Sequence, residues 1–180
     1  GSFTGFHRWA HLAYLPLPSG SQAIKEPWRM GAQYLYETFG EEMLSLPLAF
    51  VTTMPESWQL LNRATRQGIT APLTSSCGRL FDGVAAVVLG FYRRVNFEGE
   101  AAIQLERTAA PEEEGEYPFA VRGEMPWQVD WRPLWQALVE DLGQGVAKEI
   151  DSARFHNTVA RIIQAVAMRI SRETGLKKVA

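Results

Sequence analysis

Cysteine is almost absent from this 180-residue chain: Cys77 stands alone, which excludes an internal disulfide framework and any cysteine-rich zinc module. Histidine is nearly as scarce, with three residues. Long apolar runs are missing too, since stretches such as Val84 to Leu89 fall far short of the ~20 residues that a membrane span needs. Neither sign of charge dominates. Eighteen basic against twenty acidic residues leave a net charge of −2, so no global attraction to nucleic acid or to an anionic membrane is built in. No charged-then-apolar targeting segment opens the chain, and the expected compartment is the reducing cytoplasm. What is present is 46% apolar, 11% aromatic and 21% charged, the balance of a globular domain rather than a disordered segment.

The spacing of apolar residues predicts a mostly helical chain. Residues Phe3 to Leu17 read as an extended strand running into the turn Pro16-Leu17-Pro18-Ser19-Gly20. A helix is predicted from Pro27 to Phe39, with Met30, Tyr34 and Leu35 inward and Gly40 as the stop. Thr53-Met54-Pro55-Glu56 has the form of a capping box for a helix reaching Gln67. A further helix follows Ser75-Ser76-Cys77-Gly78 and ends at Gly90, with both serines offering hydroxyls to its free amides. Asn96 is expected to cap a helix over 97–107 with Ala102 and Leu105 inward, and Ala109 to Gly115 reads as an exposed acidic loop. Tyr117 to Arg122 and Trp127 to Val129 suit a short hairpin, and Asp130 then caps a helix to Leu142. The last helix carries the stripe Phe155, Val159, Ile162, Ile163, Val166 and Ile170 and ends at Gly175. So few strands do not make a self-sufficient sheet; the chain is either an α-rich domain with a small sheet or part of something larger.

Three features bear on chemistry. His7 and His11 have the i, i+4 spacing of a helical metal pair, but in a strand they lie ~13 Å apart, and no functional metal is expected there. Cys77 at a helix start has two readings: a thiol acidified by the amide dipoles, or a buried small hydrophobe. The lack of a nearby histidine base favours the second. The stretch Thr74 to Gly83 is the most informative. Gly78 lets backbone amides approach a ligand closely, and Asp82, one turn on, can turn a carboxylate toward the same opening, where it could accept hydrogen bonds from ribose hydroxyls. The pattern alone favours a capped helix with one surface aspartate.

Ser75-Ser76-Cys77-Gly78-Arg79-Leu80-Phe81-Asp82 resembles the signature of the hydrogenase maturation carbamoyltransferase family, Ser-Ser-Ala-Gly-Arg-Leu-Phe-Asp. Three further blocks are similar and in order: Pro16 to Met30, Phe97 to Ala102, and Arg154-Phe155-His156-Asn157-Thr158-Val159-Ala160. Cys77 stands where a smaller residue is usual, Ser19 where glycine is, and Ser21 where aspartate is. The resemblance implies an α+β, predominantly helical fragment of an actin-like, Hsp70-like ATPase fold. Residues 1–180 would be the middle part of the carbamoyltransferase domain, without its flanking metal-binding and phosphate-binding segments. It implies transfer of a carbamoyl group, from carbamoyl phosphate and ATP by way of carbamoyl adenylate, to the C-terminal cysteine of a partner maturation protein, for cyanide ligand synthesis. Ser75, Gly78, Asp82 and Gly99 are the expected nucleotide-binding residues, and a divalent metal is expected to be held by ligands outside this chain. Apolar surface at Phe155, Ile162 and Val166 is expected to be exposed where the missing sheet would pack. The related transferases of tRNA threonylcarbamoylation are less similar, their helix-mouth motif being closer to Gly-Glu-Ala-Phe-Asp. A non-catalytic helical interaction module is the rival from another class.

Overall fold

The computed structural model describes residues 4–90 and 94–178. The predicted first strand divides in two, because the chain leaves one sheet to enter another. β1 (Ala10–Leu12) and β2 (Leu15–Pro16) are separated by a step at Ala13, where its N–H donates to the Val129 carbonyl at 2.9 Å and its carbonyl accepts from Trp131 Nε1 at 3.0 Å. β1 runs parallel to β5 (Trp127–Asp130), and β4 (Ala120–Arg122) pairs antiparallel on the other side of β5, giving the order β1-β5-β4. The expected hairpin over 117–129 is thus present. β2 pairs instead with β3 (Leu73–Thr74).

Helices make the rest. A short α1 (Gln22–Lys25) leads into α2 (Trp28–Phe39), which starts after Pro27 and stops at Gly40 as the sequence indicated. A 3₁₀ segment (Gly40–Ser45) and α3 (Ala49–Thr53) precede α4 (Trp58–Arg66). The capping box expected at Thr53 does not form. The Thr53 hydroxyl bonds back to the Ala49 carbonyl at 2.8 Å, as threonine does inside a helix, and the helix breaks before Pro55. α5 (Cys77–Leu89), α6 (Glu100–Thr108), α7 (Arg132–Gln144) and α8 (Lys148–Thr174) complete the order.

α6 begins later than expected and turns Ala101, not Ala102, inward with Leu105. Asp130 serves α7 from the end of β5: its Oδ1 accepts the Arg132 N–H at 3.1 Å and Arg132 Nε at 2.8 Å. Burial alone would raise the Asp130 carboxyl, but the hydrogen bonds and charge of Arg132, with Arg122, outweigh it and hold the group below the usual carboxylate range.

The core lies where α2 crosses α5. Their backbones approach closely because glycines face each other: a Cβ on Gly31 would meet the Gly83 carbonyl oxygen at 3.2 Å, and one on Gly83 would sit 2.8 Å from Tyr34 Cδ2. Tyr34 fills the crossing, stacked on Trp135 (centroids 5.1 Å, 12°) and edge-on to Trp131 (4.7 Å, 85°). Phe155 joins this core from α8, edge-on to Phe81. The expectation that Phe155 and Ile162 stay bare is therefore wrong. Both are buried, Val166 is half-buried, and the exposed large apolar residues of α8 are Ile163 and Met168. The domain's own α5 and α6 supply enough cover for the first half of α8. No helix among the described residues is long and apolar enough to cross a membrane.

Candidate functional site at the mouth of α5

The N-terminus of α5 is open. Its N-cap, Ser76, sits in extended backbone and makes no capping side-chain hydrogen bond, so the hydroxyl cap anticipated from Ser75-Ser76 is not formed at that residue. Helix-start amides without a cap remain available to an acceptor from outside. Gly78 is exposed, and a Cβ there would meet only Ser76 Oγ, at 3.5 Å. Nothing in the chain's own packing calls for glycine at 78; its effect is bare backbone at the helix mouth. Ser75 is half-buried in the approach from β3.

Asp82 is not at the surface of this opening. It is 3% exposed, and Arg79, 7% exposed, lies beside it, with Nη2 3.1 Å from Asp82 Oδ2. The contact is a charge pair and not an aligned hydrogen bond, since Asp82 Oδ2 and Arg79 Nε and Nη1 have no hydrogen-bond partner among the described residues. Burial drives the Asp82 carboxyl up to about 6; Arg79 opposes that shift and Glu98 adds to it. The surface aspartate of the pattern-based reading is thus a buried ionisable group.

Gly99 comes to the same place from α6. It is the N-cap of α6 at φ 86° with open space where a side chain would be. Its neighbour Glu98 reaches Arg79 Nη2 at 3.7 Å, which ties the turn before α6 to the first turn of α5. Behind Glu98 lies a cavity of about 550 Å³ lined by Ser21, Ile24, Lys25, Asn96 and Phe97. The Asn96 side chain and N–H bond to the Glu100 carboxylate, which replaces the cap expected of Asn96. Arg79 and Glu98 went unrecognised in the sequence, although Arg79 and Asp82 have the i, i+3 spacing of a helical ion pair.

The remaining sequence features have other roles. Cys77 is exposed rather than buried, at one end of an apolar groove of about 360 Å³ that includes His11, Leu80, Val129, Ile162 and Val166. Its apolar surroundings push the thiol up, the opposite of an activated nucleophile. His11 Nδ1 is engaged with the Leu12 carbonyl at 2.8 Å, and His7 is exposed outside β1. Among the described residues no three histidine, cysteine or acidic side chains converge as a metal cage.

The Arg154–Thr158 block is a latch. Asn157 Nδ2 donates to the carbonyls of Glu113 and Gly115 at 2.9 Å each, Arg154 pairs with Glu113 and Asp141, and the Tyr117 N–H donates to Thr158 Oγ1 at 2.7 Å. The acidic segment over 109–115 is accordingly not a free loop: Glu113 and Gly115 are half-buried against α8. In the Pro16–Met30 block, Arg29 holds Glu26 at 2.5 Å and Ser19 Oγ at 3.2 Å, while Ser19 adopts a left-handed backbone (φ 61°) that glycine enters more easily.

The chain that builds this helix mouth matches a known class of proteins over its whole length. All of residues 1–180 match the family described as the carbamoyltransferase, Kae1-like domain, second subdomain, and the chain belongs to that family. It is similar to carbamoyltransferase HypF of Synechocystis sp., 34% identical over 191 residues covering 97% of this chain and 24% of that protein. HypF2 of Cupriavidus necator is 31% identical over 96% of the chain and 24% of its own length. The chain thus spans about a quarter of the length of these relatives. Among solved structures, full-length HypF in the phosphate- and nucleotide-bound form superposes with a TM-score of 0.86 at 33% identity, over 96% of this chain and 22% of that one. The structure of T. kodakarensis HypF shares the fold, with a TM-score of 0.71 at 24% identity.

Proposed function

We propose that this chain forms one wall of the nucleotide pocket of a hydrogenase maturation carbamoyltransferase. It would be the middle part of an actin-like ATPase domain in a longer cytoplasmic protein. The observation that carries the reading is the mouth of α5: uncapped amides at Cys77 and Gly78, a glycine with no packing reason, and Gly99 tied to it through Glu98 and Arg79. These residues fit a nucleotide. Amides at a helix start attract phosphate oxygens, and the buried Asp82 carboxylate lies behind that mouth and not in it. The relative described in phosphate- and nucleotide-bound form has the same fold over nearly all of this chain, which supports the assignment. Among the described residues no three histidine, cysteine or acidic side chains converge; in this reading a divalent metal would be held by ligands in other parts of the longer protein.

In this reading the bound adenylate supplies an activated carbamoyl group. The bond from the carbamoyl carbon to the phosphate oxygen would break with AMP leaving, a bond to the C-terminal cysteine sulfur of the partner would form, and the thiol proton would be given up to solvent. Carbamoyl phosphate is the source of the group. The chain's own residues bind and orient: Ser75, Gly78 and Gly99 present backbone and hydroxyl donors, and Asp82 stands behind them. Such positioning can supply much of a barrier reduction by holding reactants in a near-attack geometry away from water.

The test is Gly78→Val in the full-length protein. The chain has room for the side chain, so thermal stability should be unchanged. ATP and AMP affinity, together with carbamoylation of the partner cysteine read by mass spectrometry, should fall at least ~10-fold because the backbone is no longer bare. Unaltered nucleotide affinity would remove the helix mouth from the site.

A further inference from the structure

A buried guanidinium with two unmatched nitrogens is costly to a fold. Each buried donor without an acceptor costs ~1–3 kcal/mol, and buried ion pairs are often replaceable by apolar side chains with no loss of stability. Arg79 carries that burden at the mouth of α5: Nε and Nη1 have no partner among the described residues, and only Nη2 touches charge, at Asp82 and Glu98. Arg79 offsets the buried Asp82 charge, but its two unmatched donors make stability alone a poor account of its place.

We infer that Arg79 is a positioning residue for nucleotide binding: it keeps the Asp82 carboxylate charged behind the helix mouth and draws the Glu98–Gly99 turn against the first turn of α5. The inference rests on the nucleotide-pocket reading above. Two independent contacts support it, one within α5 and one across to α6. The energetics point the same way. Asp82 is pushed up by burial and by Glu98, and Arg79 is the group that opposes the shift. Of the other titratable groups on this side, Tyr34 of α2 is driven far up by burial and stays neutral, and Cys77 is pushed up and stays a thiol. His156 of α8 packs edge-on to Phe81, at 5.4 Å between centroids. Glu100 of α6 is engaged with Asn96. Arg79 is thus the one cation of the described residues in ion-pair contact with Asp82.

The experiment is AMP and ATP titration of the full-length protein across pH, for wild type, Arg79→Lys, Arg79→Met and Glu98→Gln. The difference between variants is the readout. In the wild type, affinity should drop as Asp82 takes up a proton near pH 6. Arg79→Met should move that midpoint up by about one to two pH units, the scale of losing an adjacent opposite charge. Affinity at neutral pH should then fall roughly two- to tenfold and recover in alkaline buffer. Arg79→Lys should return the midpoint toward wild type. Glu98 is 76% exposed, so Glu98→Gln folds regardless, and it should move the midpoint down while weakening binding at alkaline pH through the loosened turn. Arg79→Met with wild-type affinity and midpoint overturns the inference. If that variant does not fold, an unmoved midpoint in Glu98→Gln overturns it instead. Failure of the wild type to bind nucleotide at any pH would refute the pocket reading itself, and this inference with it.

Discussion

Replacing Gly83 by alanine should destabilise the domain by about 1–2 kcal/mol, although alanine is the better helix former. Two opposed effects set the size. In mid-helix the exchange gains ~1 kcal/mol in propensity. Against it, the new Cβ would lie 2.8 Å from Tyr34 Cδ2 and 3.4 Å from the Met30 carbonyl carbon, whereas ordinary contacts begin near 3.4 Å. Tyr34 is 1% exposed and held between Trp131 and Trp135, so the ring has nowhere to go. Opening such a contact belongs at the upper end of overpacking costs, ~2–3 kcal/mol. For a chain of this size the net change should lower the melting temperature by roughly 2–8 °C. Thermal unfolding followed by far-UV circular dichroism measures it, with Gly143→Ala as the control. Gly143 lies within α7 with nothing within 4 Å of its would-be Cβ, so that variant should gain about 0.5–1 kcal/mol. A melting temperature for Gly83→Ala at or above wild type would show that the α2–α5 crossing is looser than these distances require.

Stability should fall as pH rises between about 4 and 6, since the folded state holds protons that the unfolded chain releases in that window. Asp82 and Asp151 are each raised from 3.8 to about 6, mainly by burial, so their stabilising protonation is complete below the lower value and lost above the upper one. Melting curves from mildly acidic to neutral buffer should show the fall, and Asp151→Asn should flatten it; a profile rising through this window would contradict the assignment. Asn157→Ala should release the acidic segment from α8 by removing two hydrogen bonds, a loss of ~1–3 kcal/mol. Limited proteolysis at the Glu112–Glu114 run should speed up relative to wild type, and equal rates would deny the latch. The 180-residue chain by itself should carbamoylate no partner cysteine, because one wall of a pocket does not assemble a preorganised site; any modification above a no-enzyme control would contradict this.

The linear pattern was enough to place the long helices. The stripes of α2, α5 and α8, with stops at Gly40, Gly90 and Gly175, follow from local periodicity and from backbone that only glycine enters freely. The hairpin of β4 and β5 was legible for the same reason, as was the glycine-opened mouth at Ser75–Gly78. Where the outcome depended on groups distant in sequence, the pattern misled or was silent. Thr53 had a capping-box spacing but a nearer acceptor in the preceding turn. The first strand split because β1 found β5 and β2 found β3, partners more than fifty residues away. Asp82 looked like a surface carboxylate because spacing along a helix fixes a direction and not what covers it. Only the packing of α2 and α6 over α5 buried it with Arg79 and brought Glu98 and Gly99 to the same mouth. Charge burial and the meeting of remote turns are properties of contacts between elements, and the order of residues along one element carries little of that information.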